Sequence, residues 1–128
     1  MSKTIHVSKA PQFPLPFSHA VKAGDFVYVS GQVGVDPETL ELAGETIEEQ
    51  TARCIRNVEL ILQEAGLTLD HVIKANVHLS DGNLIPAFNE VYAQMFQAPY
   101  PTRTTVVSGI GKYLIEMDVI AYAPSKRS

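Results

Sequence analysis

The segment Ile115-Glu116-Met117-Asp118-Val119-Ile120-Ala121-Tyr122 alternates with a period of two residues. In an extended strand, successive side chains point to opposite faces. Ile115, Met117, Val119 and Ala121 therefore share one face, and Glu116, Asp118, Ile120 and Tyr122 share the other. The first face needs an apolar layer on top of it, which calls for helices with one apolar stripe.

The sequence supplies two such helices. Thr46-Ile47-Glu48-Glu49 is a capping box, in which the hydroxyl and the carboxylate three residues on each satisfy backbone donors at the helix start. Ile47, Cys54, Ile55, Val58, Ile61, Leu62 and Ala65 then recur at helical spacing, and Gly66 suits a left-handed cap. The second helix is expected to begin near Leu84. Pro86 fits there because first-turn amides have no partner to lose. Leu84, Phe88, Val91, Tyr92, Met95 and Phe96 form its inner side.

Other strands are expected at Ser18–Lys22, Phe26–Ser30, His71–Leu79 and the β-branched run Thr102–Val107. The first two form a hairpin around Ala23-Gly24-Asp25. Asp36-Pro37-Glu38-Thr39 is a turn. Ala10–Phe17 holds three prolines, which remove backbone donors, so it is expected to be an ordered loop pinned by Phe13 and Phe17. Ser108-Gly109-Ile110-Gly111-Lys112 joins the last two strands. The order is strand, strand, helix, strand, helix, strand, strand. It implies an α+β fold, a mixed β-sheet with two helices packed on one face, with residues 1–128 as a single domain. The sheet's second face mixes acids with large apolar groups, so other copies of the chain are expected to cover it, with polar groups at the subunit boundary.

Function classes narrow by elimination. The net charge is −4 with Lys and Arg scattered, which argues against nucleic acid. No apolar stretch is long enough to cross a bilayer, and the N-terminus lacks the apolar core of a signal peptide. The single cysteine, Cys54, has no internal partner, and a cytoplasmic setting fits. Only the tail Pro124–Ser128 suggests disorder. Gly109-Ile110-Gly111 is a turn rather than a phosphate loop. His6, His19, His71 and His78 show no metal-ligand spacing, and His71 and His78 are expected on opposite faces of one strand. Cys54 lies on a buried helix face, where a thiol packs rather than reacts. Ser30 stands at a strand end before Gly31 but has no nucleophile-elbow context.

Arg103 carries the strongest signal. At a strand entrance its guanidinium presents a rigid fork of donors suited to a carboxylate. With Glu116 on the next strand, two readings are open. The pair grips and acts on a small acid, or it makes an ordinary ion pair across the sheet.

Several phrases read together resemble the RidA/YjgF family. They are Phe26-Val27-Tyr28-Val29-Ser30-Gly31-Gln32 with Asp36-Pro37-Glu38-Thr39, then Asn57-Val58, Glu64-Ala65-Gly66 and Val72-Ile73-Lys74. Phe88-Asn89-Glu90-Val91-Tyr92 with Pro101-Thr102-Arg103, and the closing Ile115–Ala121, complete the set. The resemblance implies a chorismate-mutase-like fold assembled as a homotrimeric barrel, with clefts at subunit boundaries and neither cofactor nor metal. It implies a hydrolase of the 2-iminobutanoate/2-iminopropanoate deaminase type, which converts 2-aminoacrylate-like enamines and imines to 2-oxo acids and ammonia. On this resemblance Arg103 binds the substrate carboxylate and Glu116 holds the attacking water. Phe17, Ser30, Asn89 and Thr105 complete the substrate-binding set, Thr105 through its backbone. The deaminase branch usually carries tyrosine in Ile-Gly-Pro-Tyr, where this chain reads Pro14-Leu15-Pro16-Phe17, and His19 replaces a common glutamine. Two alternatives therefore stand beside deamination of small imines. One is non-catalytic binding of a small carboxylate such as a 2-oxo acid, and the other is deamination of a larger aminomuconate-like acid.

Overall fold

The computed structural model describes residues 2–124. Six strands and two helices follow in the order β1 (Ser2–Ile5), β2 (Ala20–Ala23), β3 (Phe26–Val33), α1 (Ile47–Glu64), β4 (Val72–Leu79), α2 (Ile85–Met95), β5 (Thr102–Val107) and β6 (Ile115–Tyr122). The strands form one sheet in the order β1-β2-β3-β6-β4-β5. Every neighbouring pair is antiparallel except β4 and β5, which are parallel and joined through α2. The expected mixed sheet with two helices on one face is the observed α+β fold. Ser125–Ser128, where most of the expected disordered tail falls, lie outside the described residues.

The first helix forms as its sequence dictates. Thr46 Oγ1 accepts from the Glu49 amide at 3.1 Å, and Glu49 Oε1 accepts from the Thr46 amide at 3.3 Å. Gly66 takes the left-handed conformation just beyond the helix, at φ 76°. α1 lies over β3 and β6 and against α2. Its buried Ile55, Val58, Ile61 and Leu62 meet Ile115, Met117, Val119 and Ala121 of β6, the face that the alternation selects. Gly34 is required where α1 crosses the end of β3, because any side chain there would strike the Gln50 backbone.

Three local expectations change. β1 has no counterpart among the expected strands; it is a short edge strand, mostly polar, held by pairing with β2 and by Ile5 packing against the core. His71 is not in a strand. It ends a 3₁₀ turn, where its Nδ1 accepts from the Thr68 amide at 3.0 Å. Phe17 does not pin the proline loop, since it is 47% exposed. The anchor is buried His19, whose Nδ1 accepts from the Val7 amide at 3.0 Å and whose Nε2–H donates to the Pro11 carbonyl at 2.9 Å. A carbonyl can only accept, so this pairing sets the ring's tautomer. Gln12 adds bonds to the Val7 and Ala10 carbonyls.

Two buried amides tie the layers together. Asn57 Nδ2 donates to the carbonyls of Val33 and Val35 at 3.0 and 2.9 Å. Gln50 donates to the Gly44 carbonyl and accepts from the Leu114 amide. Among the described residues no helix is long and apolar enough to cross a membrane.

Candidate functional site

The first hollow, about 310 Å³, opens beside Glu116. Its floor comes from a fault in the sheet. The register between β3 and β6 shifts between Val29 and Gln32, so β3 spends an extra residue and Ser30-Gly31 bulges. Ser30 is therefore inside β3, not at its end. Its amide donates to the His19 carbonyl at 3.0 Å and its hydroxyl to the Ser18 carbonyl at 2.5 Å. With its proton committed there, Ser30 Oγ faces a ligand as an acceptor. Gly31 makes room for the acid: a Cβ there would sit 2.5 Å from Glu116 Oε2.

The wall of this hollow is the proline loop. The Leu15 amide bonds the Phe13 carbonyl and the Phe17 amide bonds the Leu15 carbonyl, both at 2.8 Å. These i to i+2 bonds are successive γ-type turns centred on Pro14 and Pro16, a bond pattern that proline's fixed φ suits. Phe13, Leu15 and Phe17 all line the cavity, facing Val33 and Tyr113. Asn57 holds the Val33 carbonyl, and Gln50 holds the amide next to Tyr113, so both side walls are fixed from the core.

The second hollow, about 350 Å³, is lined by Asn89, Tyr92, Ala93, Tyr100, Pro101 and Arg103. The Arg103 guanidinium lies over two rings of α2, 5.1 Å from the Phe88 centroid and 4.8 Å from that of Tyr92. Such contacts give about 0.5–1 kcal/mol each at exposed sites and orient the cation without neutralising it. Its donors remain available for a carboxylate. The Tyr92 hydroxyl is buried without a hydrogen-bond partner, and burial pushes its pKa above 10.0 against the pull of the Arg103 charge. The Thr105 hydroxyl is likewise buried and unpartnered.

The two hollows lie on opposite faces of the sheet. Arg103 is level with Ala75 on β4 and faces the helices, whereas Glu116 is level with His78 and faces away from them. β4 runs between their strands. Of the two open readings, the cross-sheet ion pair does not form: register and parity send the two side chains through different faces. Among the described residues the one ion pair is Arg56–Glu59 on the helix surface, and neither Arg103 nor Glu116 joins it. One copy of the chain brings Phe17, Ser30 and Glu116 together, and separately Asn89 and Arg103. It does not join the two sets, and Thr105 lines neither hollow.

The aromatic seat of Arg103 is not among the expected site residues, nor are Phe13 and Tyr113 of the cavity. Phe88 and Tyr92 stand four residues apart on one helix, and that spacing is the signal that could have revealed the seat. No group of three or more His, Cys, Asp or Glu able to hold a metal occurs among the described residues.

Comparison with known proteins completes this picture. The family model described as "Endoribonuclease L-PSP" matches residues 7–123. A RutC family protein of Pyrococcus abyssi is 45% identical over 122 residues, covering 94% of this chain and 96% of the relative. A protein of Dermatophagoides farinae named 2-iminobutanoate/2-iminopropanoate deaminase is 34% identical, covering 81% of each chain. The crystal structure of RidA from an Antarctic Psychrobacter superposes with a TM-score of 0.88 at 39% identity, covering 94% of this chain and 98% of the other.

Proposed function

The chain belongs to the endoribonuclease L-PSP family, and on that premise we propose that it hydrolyses small reactive enamine and imine acids in clefts completed by a second copy of the chain. The observation that carries this reading is the division of labour between the hollows. One holds an oriented, unneutralised guanidinium, and the other an unpaired carboxylate above a bulge. Neighbouring copies in a trimer would set the Arg103 edge of one against the Glu116 cavity of the next.

In such a cleft Arg103 grips the substrate carboxylate and Asn89 lies beside it. An enamine first takes a proton at its β-carbon to become the imine. Glu116 accepts a proton from water as the oxygen bonds to C2. It then returns that proton to the amine nitrogen, the C–N bond breaks, ammonia leaves, and the hydroxyl passes its own proton to Glu116 as the carbonyl forms. Holding the reactants together contributes up to roughly 7–11 kcal/mol in ideal cases, and general-base help adds about 10²–10⁴-fold. The acidic balance of the chain, −4, argues against a polynucleotide substrate.

The test generates 2-aminoacrylate in situ with a serine dehydratase and traps it with semicarbazide. The protein lowers semicarbazone formation and the Arg103→Ala form does not. Equal trapping with both would refute the proposal. Phe17 supports one second reading, because it lines the cavity without supplying a hydroxyl. On that reading the cleft binds a 2-oxo acid without turnover, so pyruvate raises Tm while trapping stays unchanged.

A further inference from the structure

We infer that the preferred substrates are 2-imino acids with branched or aromatic hydrocarbon side chains rather than 2-iminopropanoate, an inference that rests on the hydrolytic reading above. Leu15 is 59% exposed and Phe17 47% exposed, yet both line the cavity beside Glu116. Phe13, Val33 and Tyr113 continue the same apolar surface. Large apolar side chains exposed at the mouth of a cavity mark a surface that gains by being covered. A substrate with a methyl side chain leaves most of this wall wet. An isobutyl or benzyl group reaches Leu15 and Phe17 while C2 stays beside Glu116.

The polar groups of the hollow are few: Ser30, the Gly31 backbone, Glu116 and the Tyr113 hydroxyl. No lysine or arginine lines it, and Lys112 lies against the Tyr113 ring, 5.7 Å from its centroid, so a second carboxylate, as in an aminomuconate-like acid, meets Glu116 with no cation in the lining itself. The apolar wall therefore favours a hydrocarbon tail over an acidic one. The wall is also built to keep its shape, since the γ-type turns at Pro14 and Pro16 present Leu15 and Phe17 while His19 anchors the loop.

The chemistry fixes the class of reaction upstream. β-Elimination yields an enamine only from an amino acid with a leaving group on its β-carbon. A saturated hydrocarbon side chain has none. Its imine arises by removal of two electrons and two protons across the Cα–N bond, which are passed to a flavin or nicotinamide acceptor. Hydrolysis then adds water and releases ammonia, leaving the branched or aromatic 2-oxo acid.

The experiment compares two imines made by one enzyme. D-amino-acid oxidase with catalase generates 4-methyl-2-iminopentanoate from D-leucine and 2-iminopropanoate from D-alanine, each trapped with semicarbazide. We expect kcat/KM about tenfold or more higher for the larger imine, and Leu15→Ser to bring the ratio toward one. Equal rates, or faster hydrolysis of the smaller imine, overturn the substrate class and leave the hydrolytic reading standing. If neither imine is hydrolysed, Tm shifts decide with 4-methyl-2-oxopentanoate and pyruvate as probes. A larger shift with the branched acid, lost in Leu15→Ser, sustains the ligand class while the hydrolytic reading fails. Equal shifts, or none, overturn both.

Discussion

Arg103 and Glu116 point through opposite faces of one sheet, on strands that flank β4. Three residues along β4 separate their levels, Ala75 and His78. At about 3.3 Å per residue and about 4.8 Å per strand, their backbones are roughly 14 Å apart. No rotamer change closes that gap through the sheet. A site that uses both groups needs a second copy of the chain.

On the proposed reading, Arg103 works through orientation as well as charge. Arg103→Lys keeps the charge but loses the fork and its stacking on Phe88 and Tyr92. Misplacement of this kind costs about a hundredfold in kcat/KM. Steady-state kinetics on the trapped imine checks this, and Tm should move little because the residue is exposed.

Gly31 sets where the Glu116 carboxylate rests. Gly31→Ala places a methyl group 2.5 Å from Glu116 Oε2 and pushes that flexible end aside. The fold survives, kcat falls and KM changes little. Glu116→Gln gives the reference loss of about 10²–10⁴-fold in kcat. A Gly31→Ala enzyme with full kcat would mean that the carboxylate position is not critical.

Asn57 is fully buried and donates to the carbonyls of Val33, the last residue of β3, and of Val35 just beyond it. Asn57→Ala leaves the Val35 carbonyl without this donor, at about 1–3 kcal/mol for an unsatisfied buried group, and takes one of two donors from the Val33 carbonyl, which keeps the Val35 amide, at about 0.5–1.5 kcal/mol, so the variant loses about 1.5–4.5 kcal/mol. Urea unfolding reads the loss directly. Because the Val33 carbonyl is one of the two, the wall of the Glu116 cavity loosens as well.

Alkaline pH weakens the fold by a stated route. Burial, with a smaller push from the Glu116 charge, raises the Cys54 thiol above 9.0, and burial raises the Tyr92 phenol above 10.0. Both groups hold their protons to higher pH in the folded chain than in the unfolded chain. Their stability is therefore complete below these unfolded values and is lost as the pH climbs past them. The urea midpoint falls between about pH 8.5 and 11. Tyr92→Phe flattens the upper part of that fall and Cys54→Ala the lower part.

The legible parts of the molecule are those whose signals are local. The capping box at Thr46 and the spacing from Cys54 to Leu62 specify α1 within a few turns, and the alternation in Ile115–Tyr122 specifies which face of β6 is buried. Arg103 and Glu116 stand out singly for the same reason. Their relation does not, because the faces used by β5 and β6 are set by register against β4. The bulge at Ser30-Gly31 likewise exists only relative to β6. Phe17 reads as inward-facing because it is apolar, but the γ-type turns at Pro14 and Pro16 leave it facing the cavity. His71 reads as strand from the run that follows it, although Thr68 three residues earlier carries the turn signal. Ser2–Ile5 has no apolar pattern to announce an edge strand.

Subunit complementation tests the shared cleft most directly. Arg103→Ala and Glu116→Gln chains are each nearly inactive alone. Unfolded together in equal amounts and refolded, they place an intact Arg103 against an intact Glu116 at roughly a quarter of the boundaries. The account predicts recovery of about that fraction of wild-type imine hydrolysis. Activity no higher than that of the two variants refolded separately would contradict it.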